Sequence, residues 1–534
     1  MSERLSQVAR RLALGFADAV VTMPLMRWTW QGQGEHVFAD DLPDFRPADR
    51  EAVREMMAGR YVLASKLIDT GGASPFSLDI DHPDWWNNLQ GFSWLRHFRD
   101  VRDPGEKGFA RMLVLDWISR DGQFDSETWT LSLTAQRVLN WFRHLNLLLD
   151  GATADQVRTI QRSLDMQVQS LGVRAGLAAD PVEALFAAIG LLGAALCGSA
   201  GSAEVENRVR QLDAILAKQL DDDGLHLSRN PKLQMTLLTE LTSLRRAVGR
   251  QGSPVVAEFS DRIARMHEAL DDLTLSSGEP AYFNGCGQVP HDVLVAIQAN
   301  GPGTTRRSRV LGGYGILRDG ASVVIADSGQ VPPIGFDNEV HAGALAFEFS
   351  HGSEMIVGSC GPAPSDLPES RDLFRQSIAH SSPTIDAEDA KRTRRDAPKI
   401  LLDAPQRSLV LVTDGYAETH GAEIERRITL LSDGTSLVGQ DRILSHGKPS
   451  GHLGIRFHLA PGISVKRTGG LGMVRLILPN GAVWNFLWEG ATLREDDSVR
   501  QSAYLGFSRT RQLVLEAEVE AGLEVAWIFT REQQ

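Results

Sequence analysis

The chain has 534 residues, 42% of them hydrophobic and 23% charged, so it can bury a large core and is neither disordered nor fibrous. A net charge of −13 and a pI near 5.6 exclude a general nucleic-acid or anionic-membrane binder; an acidic ligand would need a local basic cleft. Three cysteines without a CxxC, one in an apolar run and two in Gly-rich turns, exclude a disulfide framework.

The first stretch, SERLSQVARRLALGFADAVVTM, is basic and weakly apolar. Asp18 interrupts it and no h-region with a small-residue cleavage site follows, so it reads as a mature helix. No apolar run reaches transmembrane length without glycine or charge. Apolar positions then recur at three and four in 130–150, 153–172 and 180–198, as amphipathic helices require. After SRNP another helix begins: Asn230 fits the N-cap and Pro231 the first helical position, with Leu233, Leu237, Leu241, Leu244 and Val248 as its stripe. Roughly ten helices joined by short loops, without heptads or a solenoid repeat, predict a ring of helical hairpins over residues 1–300.

The texture changes at ANGPGTTRRSRVLGGYG, 299–315. Beyond it β-branched and aromatic runs alternate with turn residues, as in 321–329, 407–416, 422–444 and 482–490. LSDGTSL reads as a hairpin turn, since Asp-Gly tolerates positive φ. With no long helix between strands, residues 310–534 are expected to form an antiparallel β-sandwich. The chain is thus expected to be an α+β multidomain protein, an N-terminal (α/α) toroid followed by that sandwich.

Within NEVHAGALAFEFSHG, 338–352, a strand period puts His341, Gly343, Leu345, Phe347 and Phe349 on one face. Glu348 falls on the other. An imidazole therefore heads an otherwise apolar row, where core would meet cleft.

EVHAGALAFEFSHGSEMIVGSCG followed by RQSIAHSSPTID is similar to the C-terminal signature of heparinase II/III-like polysaccharide lyases. That signature is a His-Ala-Asp-x-x-Ser-Phe-Glu strand, a Val-Asp-x-Gly strand end and Ala-His-Asn-Thr. WWNNLQGFSWLRHF (85–98), DDGLHLSRNPKLQ (222–234) and AYFNGCG (281–287) resemble the helical half of the same family. The resemblance runs nearly end to end. It implies β-elimination on a uronic-acid-containing polysaccharide in an interdomain cleft. Such chemistry needs carboxylate neutralisation, a base for the C5 proton and an acid for the leaving oxygen.

The resemblance carries catalytic roles to His226, Tyr282, His341 and His380, and substrate contacts to Arg229, Asn230 and Asn284. For Asn230 a helix cap is the competing reading, and for Tyr282 interdomain packing. Trp94 and His97, three apart on one helix face, are candidates to stack on and hold a sugar, although helix packing is the favoured reading for the tryptophans. In the family His341 and His380 can share zinc with an Asp, but that position is Ser359 here, and the Asp after His-Ala is Gly343. Two imidazoles without a carboxylate make a poor zinc set, so no cofactor is expected to be required. The competing reading is a hydrogen-bonded histidine pair. A further catalytic His of many relatives is replaced by Glu339. The basic run 390–399 reads as a solvated turn or as a rim guiding an anion.

Two functions remain in competition: a lyase acting on an acidic polysaccharide, and a glycan-binding or assembly-supporting protein without the chemistry. A glycoside hydrolase needs an opposed carboxylate pair that the sequence does not display. The resemblance implies the cell envelope, whereas the absence of a recognisable leader is compatible with the cytoplasm. The sequence leaves the oligomeric state and the polysaccharide open.

Overall fold

The computed structural model describes residues 2–31, 37–249, 254–303, 306–391, 399–445, 447–468, 472–502 and 506–532. Arg392, Arg394 and Arg395 of the basic run lie outside them. Among the described residues the regular structure before 300 is helical apart from the hairpin Arg60–Leu63 with Lys66–Asp69, and after 308 it is strand apart from short helical turns within 368–379 and at Ala417–His420. The change falls inside the stretch expected from sequence, between the helix His291–Ala299 and the strand Arg309–Leu311.

Helix ends follow local chemistry. Thr153 and Gln156 form a reciprocal capping box at the start of Ala154–Arg174. Asn230 Oδ1 accepts from the Lys232 and Leu233 N–H groups at 2.9 and 3.2 Å, the cap that the SRNP stretch predicts. Helices Leu131–Arg143 and Pro181–Cys197 pack against each other. Gly190 and Gly193 permit that approach: a Cβ there would lie 3.1 Å from the Ala135 Cβ and 2.5 Å from Leu139. On the first helix, Ser2–Val21, the fold leaves Leu12 and Phe16 about 70% exposed. No described helix is long and apolar enough to cross a membrane.

Two antiparallel sheets make the sandwich. One runs, in spatial order, Ser464–Thr468, Met473–Ile477, Val483–Glu489, Glu524–Arg531, Ser436–Ser445, Ala422–Leu431, Ser408–Tyr416, Lys399–Asp403. The other runs Thr492–Ser502, Gly506–Glu518, His452–Leu459, Glu354–Gly358, Phe347–His351, Ser322–Asp327, Tyr314–Asp319, Arg309–Leu311. The short strand Pro383–Ile385 pairs with His452–Leu459. Aromatic rings close the space between sheets: Phe347 stacks on Trp527 at 5.3 Å, and Phe457 meets Phe486 at 5.2 Å. At the expected LSDGTSL hairpin, Ser432, Asp433 and Gly434 all take positive φ.

Compactness does not follow chain order. One unit comprises Met1–Leu220, Thr236–Ala264 and Asp292–Asn300; the other comprises Asp221–Met235, Arg265–His291 and Gly301–Gln534. The sandwich unit therefore includes two segments of the helical half, and these carry His226, Arg229, Asn230, Tyr282 and Asn284.

One expectation needs correcting. The strand with the His-Ala signature begins at Phe347, not at His341. Residues 344–345 form a turn, and Leu345 adopts φ +60, so strand alternation cannot assign faces before Phe347.

Candidate functional site

Four sequence-nominated residues, His226, Tyr282, His341 and His380, lie within the sandwich unit and are each at most 3% exposed. Trp94 and His97 belong to the helical unit. Trp94 is buried against Phe92, with its indole N–H on the Leu89 carbonyl at 3.1 Å, which is helix packing. His97 accepts from the Asp49 N–H at 3.1 Å; burial, helped by Arg96, pushes its pKa down to about 4.

His226 precedes the tight turn that starts the Asn230 cap. Its Nδ1 accepts from the Ser228 N–H at 3.1 Å and lies 2.8 Å from the Ser228 hydroxyl, which leaves the ring proton on Nε2. Burial holds its pKa down to about 3, so the ring is neutral across the physiological range. Arg229, at φ +57, turns its guanidinium into the sandwich unit. It donates to the Gly312 carbonyl and to Asp327 Oδ1, both at 2.7 Å, and stacks 4.1 Å over Tyr314.

A chain of hydrogen bonds links these segments to the histidine signature. Tyr314 Oη donates to the Arg229 carbonyl at 2.6 Å and accepts from Asn284 Nδ2 at 2.6 Å. Asn284 Oδ1 in turn accepts from the His341 N–H at 3.3 Å. The rings of His341 and His380 converge, with centroids 5.3 Å apart. Arg426 supports both of their segments. Its guanidinium donates to the Leu345 and Ser381 carbonyls, while Asp441 neutralises it through two bonds of 2.7 and 3.0 Å.

The backbone N–H of Tyr282 donates to Glu348 Oε2 at 3.0 Å, and the Ser359 N–H donates to Glu348 Oε1 at 2.9 Å. Burial raises the Glu348 pKa against the pull of Arg500 and of these two donors. Arg500 sits 3.9 Å over the Tyr282 ring and donates to the Ser359 carbonyl and to Glu279. Burial raises the Tyr282 phenol pKa far above its ordinary value. Tyr282 lines a polar cavity of about 290 Å³ with Ser277, Glu279, Gln288, Arg500 and Gln501.

Sequence reading missed Glu348, Arg500, Tyr314 and Arg426 as organisers of the site. Glu348 did carry a signal, a carboxylate inside an apolar strand motif. Arg500 carried none, because its partners lie 141 to 221 residues away in the chain.

The histidine pair lacks the carboxylate that completes the family's ligand set. His341 and His380 converge, but the third family ligand is the Ser359 hydroxyl, whose Oγ is buried without a hydrogen-bond partner among the described residues. Among the described residues no group of three or more His, Cys, Asp or Glu is placed to hold a metal. Glu339, which stands where relatives have a catalytic His, is half exposed and paired with Arg371.

Residues 302–528 match the family described as Heparinase II/III-like, C-terminal. Over 94% of its length the chain is 26% identical to the FtsZ-localized protein C of Caulobacter vibrioides, covering 93% of that protein. Heparan sulfate lyase HepC from Pedobacter heparinus, in a mutant form, superposes with a TM-score of 0.60 at 13% identity, covering 99% of this chain and 89% of the lyase. A heparinase III structure superposes with a TM-score of 0.64 at 14% identity over 87% of this chain and 80% of the other. Residues 302–528 thus match the heparinase II/III-like C-terminal family, and the chain shares its fold with these lyase structures.

Proposed function

We propose that this protein holds an acidic glycan without cleaving it and supports an assembly at sites where FtsZ collects. The observation that carries this reading is what the fold does with its nominated catalytic groups. His226 is neutral and buried with Ser228, Arg229 is bonded to Asp327 and Gly312, and the Tyr282 phenol is pushed away from proton transfer at neutral pH. Ser359 and Glu339 stand where the family signature has an Asp and a His. The likeness to a protein named for its localisation with FtsZ supports the assembly half of the proposal, and the heparinase fold supports the glycan half.

Two measurements test it together. A fluorescent fusion should coincide with FtsZ structures in dividing cells, and the purified chain should bind uronic-acid polysaccharides without the ultraviolet absorbance rise that unsaturated uronate ends produce. Dispersed fluorescence together with no glycan binding would overturn the proposal.

The convergence of His341 and His380, and their link through Asn284 to the Tyr282 loop, favours a second reading. This is a lyase with Tyr282, His226, His341 and His380 as catalytic groups, acting on a uronic-acid-containing polysaccharide by β-elimination. An absorbance rise with any uronate polymer, abolished by Tyr282→Phe with affinity retained, would establish it in place of the non-catalytic reading.

A further inference from the structure

At one edge of the sheet, strands Thr492–Ser502 and Gly506–Glu518, the helix Arg371–Arg375 and the segments at Cys360, Ile378 and His458 line an open pocket of about 430 Å³. That is within the span of small-ligand pockets, roughly 300 to 1,000 Å³. Leu373, Phe374, Ile378, Ala379 and Val499 form an apolar wall. The opposing surface is polar: Cys360, His458, Ser498, Thr510, Gln512 and Arg509, with Asp497, whose carboxylate is paired with Arg511. None of these residues has a role in the site described above.

The polar groups are arranged. His458 is 3% exposed, and its Nε2 lies 3.0 Å from the Ile378 carbonyl, so that nitrogen carries the proton. Nδ1 is then the acceptor, with Ser498 Oγ at 2.7 Å and Cys360 Sγ at 3.7 Å. The array resembles a nucleophile and its base. Burial pushes the His458 pKa down to about 4, however, which makes it a weak base at neutral pH, and the Cys360 thiol is pushed up to about 11. Both are suited to shaping a neutral, hydrogen-bonded floor.

Two groups are left over. Gln512 donates to the Asp497 carbonyl at 3.0 Å, yet its Oε1 is buried without a hydrogen-bond partner among the described residues. Arg509 is exposed and lines the cavity, and it makes no ion pair among the described residues, whereas nearby Arg511 is neutralised by Glu495 and Asp497. An apolar wall and a guanidinium without an ion pair describe the complement of an amphipathic anion, while the Gln512 oxygen calls for a donor that a carboxylate does not carry.

We propose that this cavity binds a small carboxylate with an apolar body, the chain or ring lying on Leu373, Phe374 and Ile378 and the carboxylate on Arg509. The site is independent of the glycan reading.

Sodium octanoate and octan-1-ol are the probes, titrated calorimetrically into the full-length protein. Octanoate should bind at one site and at least about tenfold more tightly than the alcohol, the preference that one charge-assisted contact provides. Arg509→Gln, at an exposed position that leaves the fold intact, should remove the preference by weakening octanoate alone. Leu373→Asp should weaken both probes. Bound octanoate should slow N-ethylmaleimide labelling of Cys360 while leaving Cys197 and Cys286 unchanged, read by peptide mapping. The proposal falls if octanoate does not saturate a single site, if the alcohol binds equally well, if Arg509→Gln keeps the preference, or if Cys360 is not protected.

Discussion

Replacing Glu348 tests whether that buried carboxylate ties the Tyr282 loop to the strand end at Ser359. In Glu348→Leu both N–H donors, now 3.0 and 2.9 Å from the carboxylate, are left in an apolar site. Each orphaned donor costs about 1–3 kcal/mol. Arg500, 3.8 Å away, also loses a neighbouring negative charge, though it keeps Ser359 O and Glu279. The sum is about 3–6 kcal/mol. Glu348→Gln is milder, because one amide oxygen still accepts, and about 2 kcal/mol is expected, the cost of one donor left facing an NH₂ group. Two kcal/mol corresponds to roughly thirtyfold in an opening equilibrium. Native-state hydrogen exchange reads this directly: peptides containing the Tyr282 and Ser359 amides should exchange about thirtyfold faster in Glu348→Gln. Peptides from Glu524–Arg531, in the other sheet, should keep their wild-type rates. Unchanged exchange at both amides would refute the tie. Uniform acceleration through the sandwich unit would show a global packing defect instead.

Stability should fall in acid because of buried histidines. His226 and His458 are held to about 3 and about 4 in the fold against 6.5 in the unfolded chain, so below pH 6.5 the unfolded state binds more protons. Their contribution is complete above pH 6.5 and is lost as the pH falls toward 4, at about 1.4 kcal/mol per pH unit for each; His458→Gln should reduce that slope by about as much in urea titrations, and an unchanged slope would exclude His458 as a source. Tyr282→Phe should shift stability by less than about 0.5 kcal/mol in urea, since the ring stays under Arg500, whereas Tyr282→Ala should cost about 3–5 kcal/mol; equal effects would show that the hydroxyl matters more than the ring. A Cβ on Gly343 would lie 3.6 Å from His380 Cγ, in ordinary contact, so Gly343→Asp brings a carboxylate to the histidine pair. Dialysis against zinc followed by elemental analysis should then find more metal on the variant than on wild type, and equal loading would show that the pair is not open to a third ligand.

The sequence alone determined the features that depend on neighbours in the chain. The Asn230 cap, the Ser432–Gly434 turn, the helix periods and the change of texture between 299 and 315 each rest on a few adjacent residues, and each stands where expected. The spacing of the heparinase signature also brought His341 and His380 into view, and their rings do converge. Only the tertiary structure decided what those residues can do. Strand alternation carried back to His341 failed because the turn at Ala344–Leu345 is held from outside, by Arg426 of another strand bonded to the Leu345 carbonyl. The partners of Glu348 at Tyr282 and Ser359, and the Arg500 that covers Tyr282, meet across 11 to 218 residues, and no local period encodes such pairings. Nor did chain order reveal that segments 221–235 and 265–291 join the sandwich unit. A buried polar group needs partners wherever the fold brings them, so the reactivity of the candidate groups was set by long-range contacts, while their positions along the chain were set by the sequence.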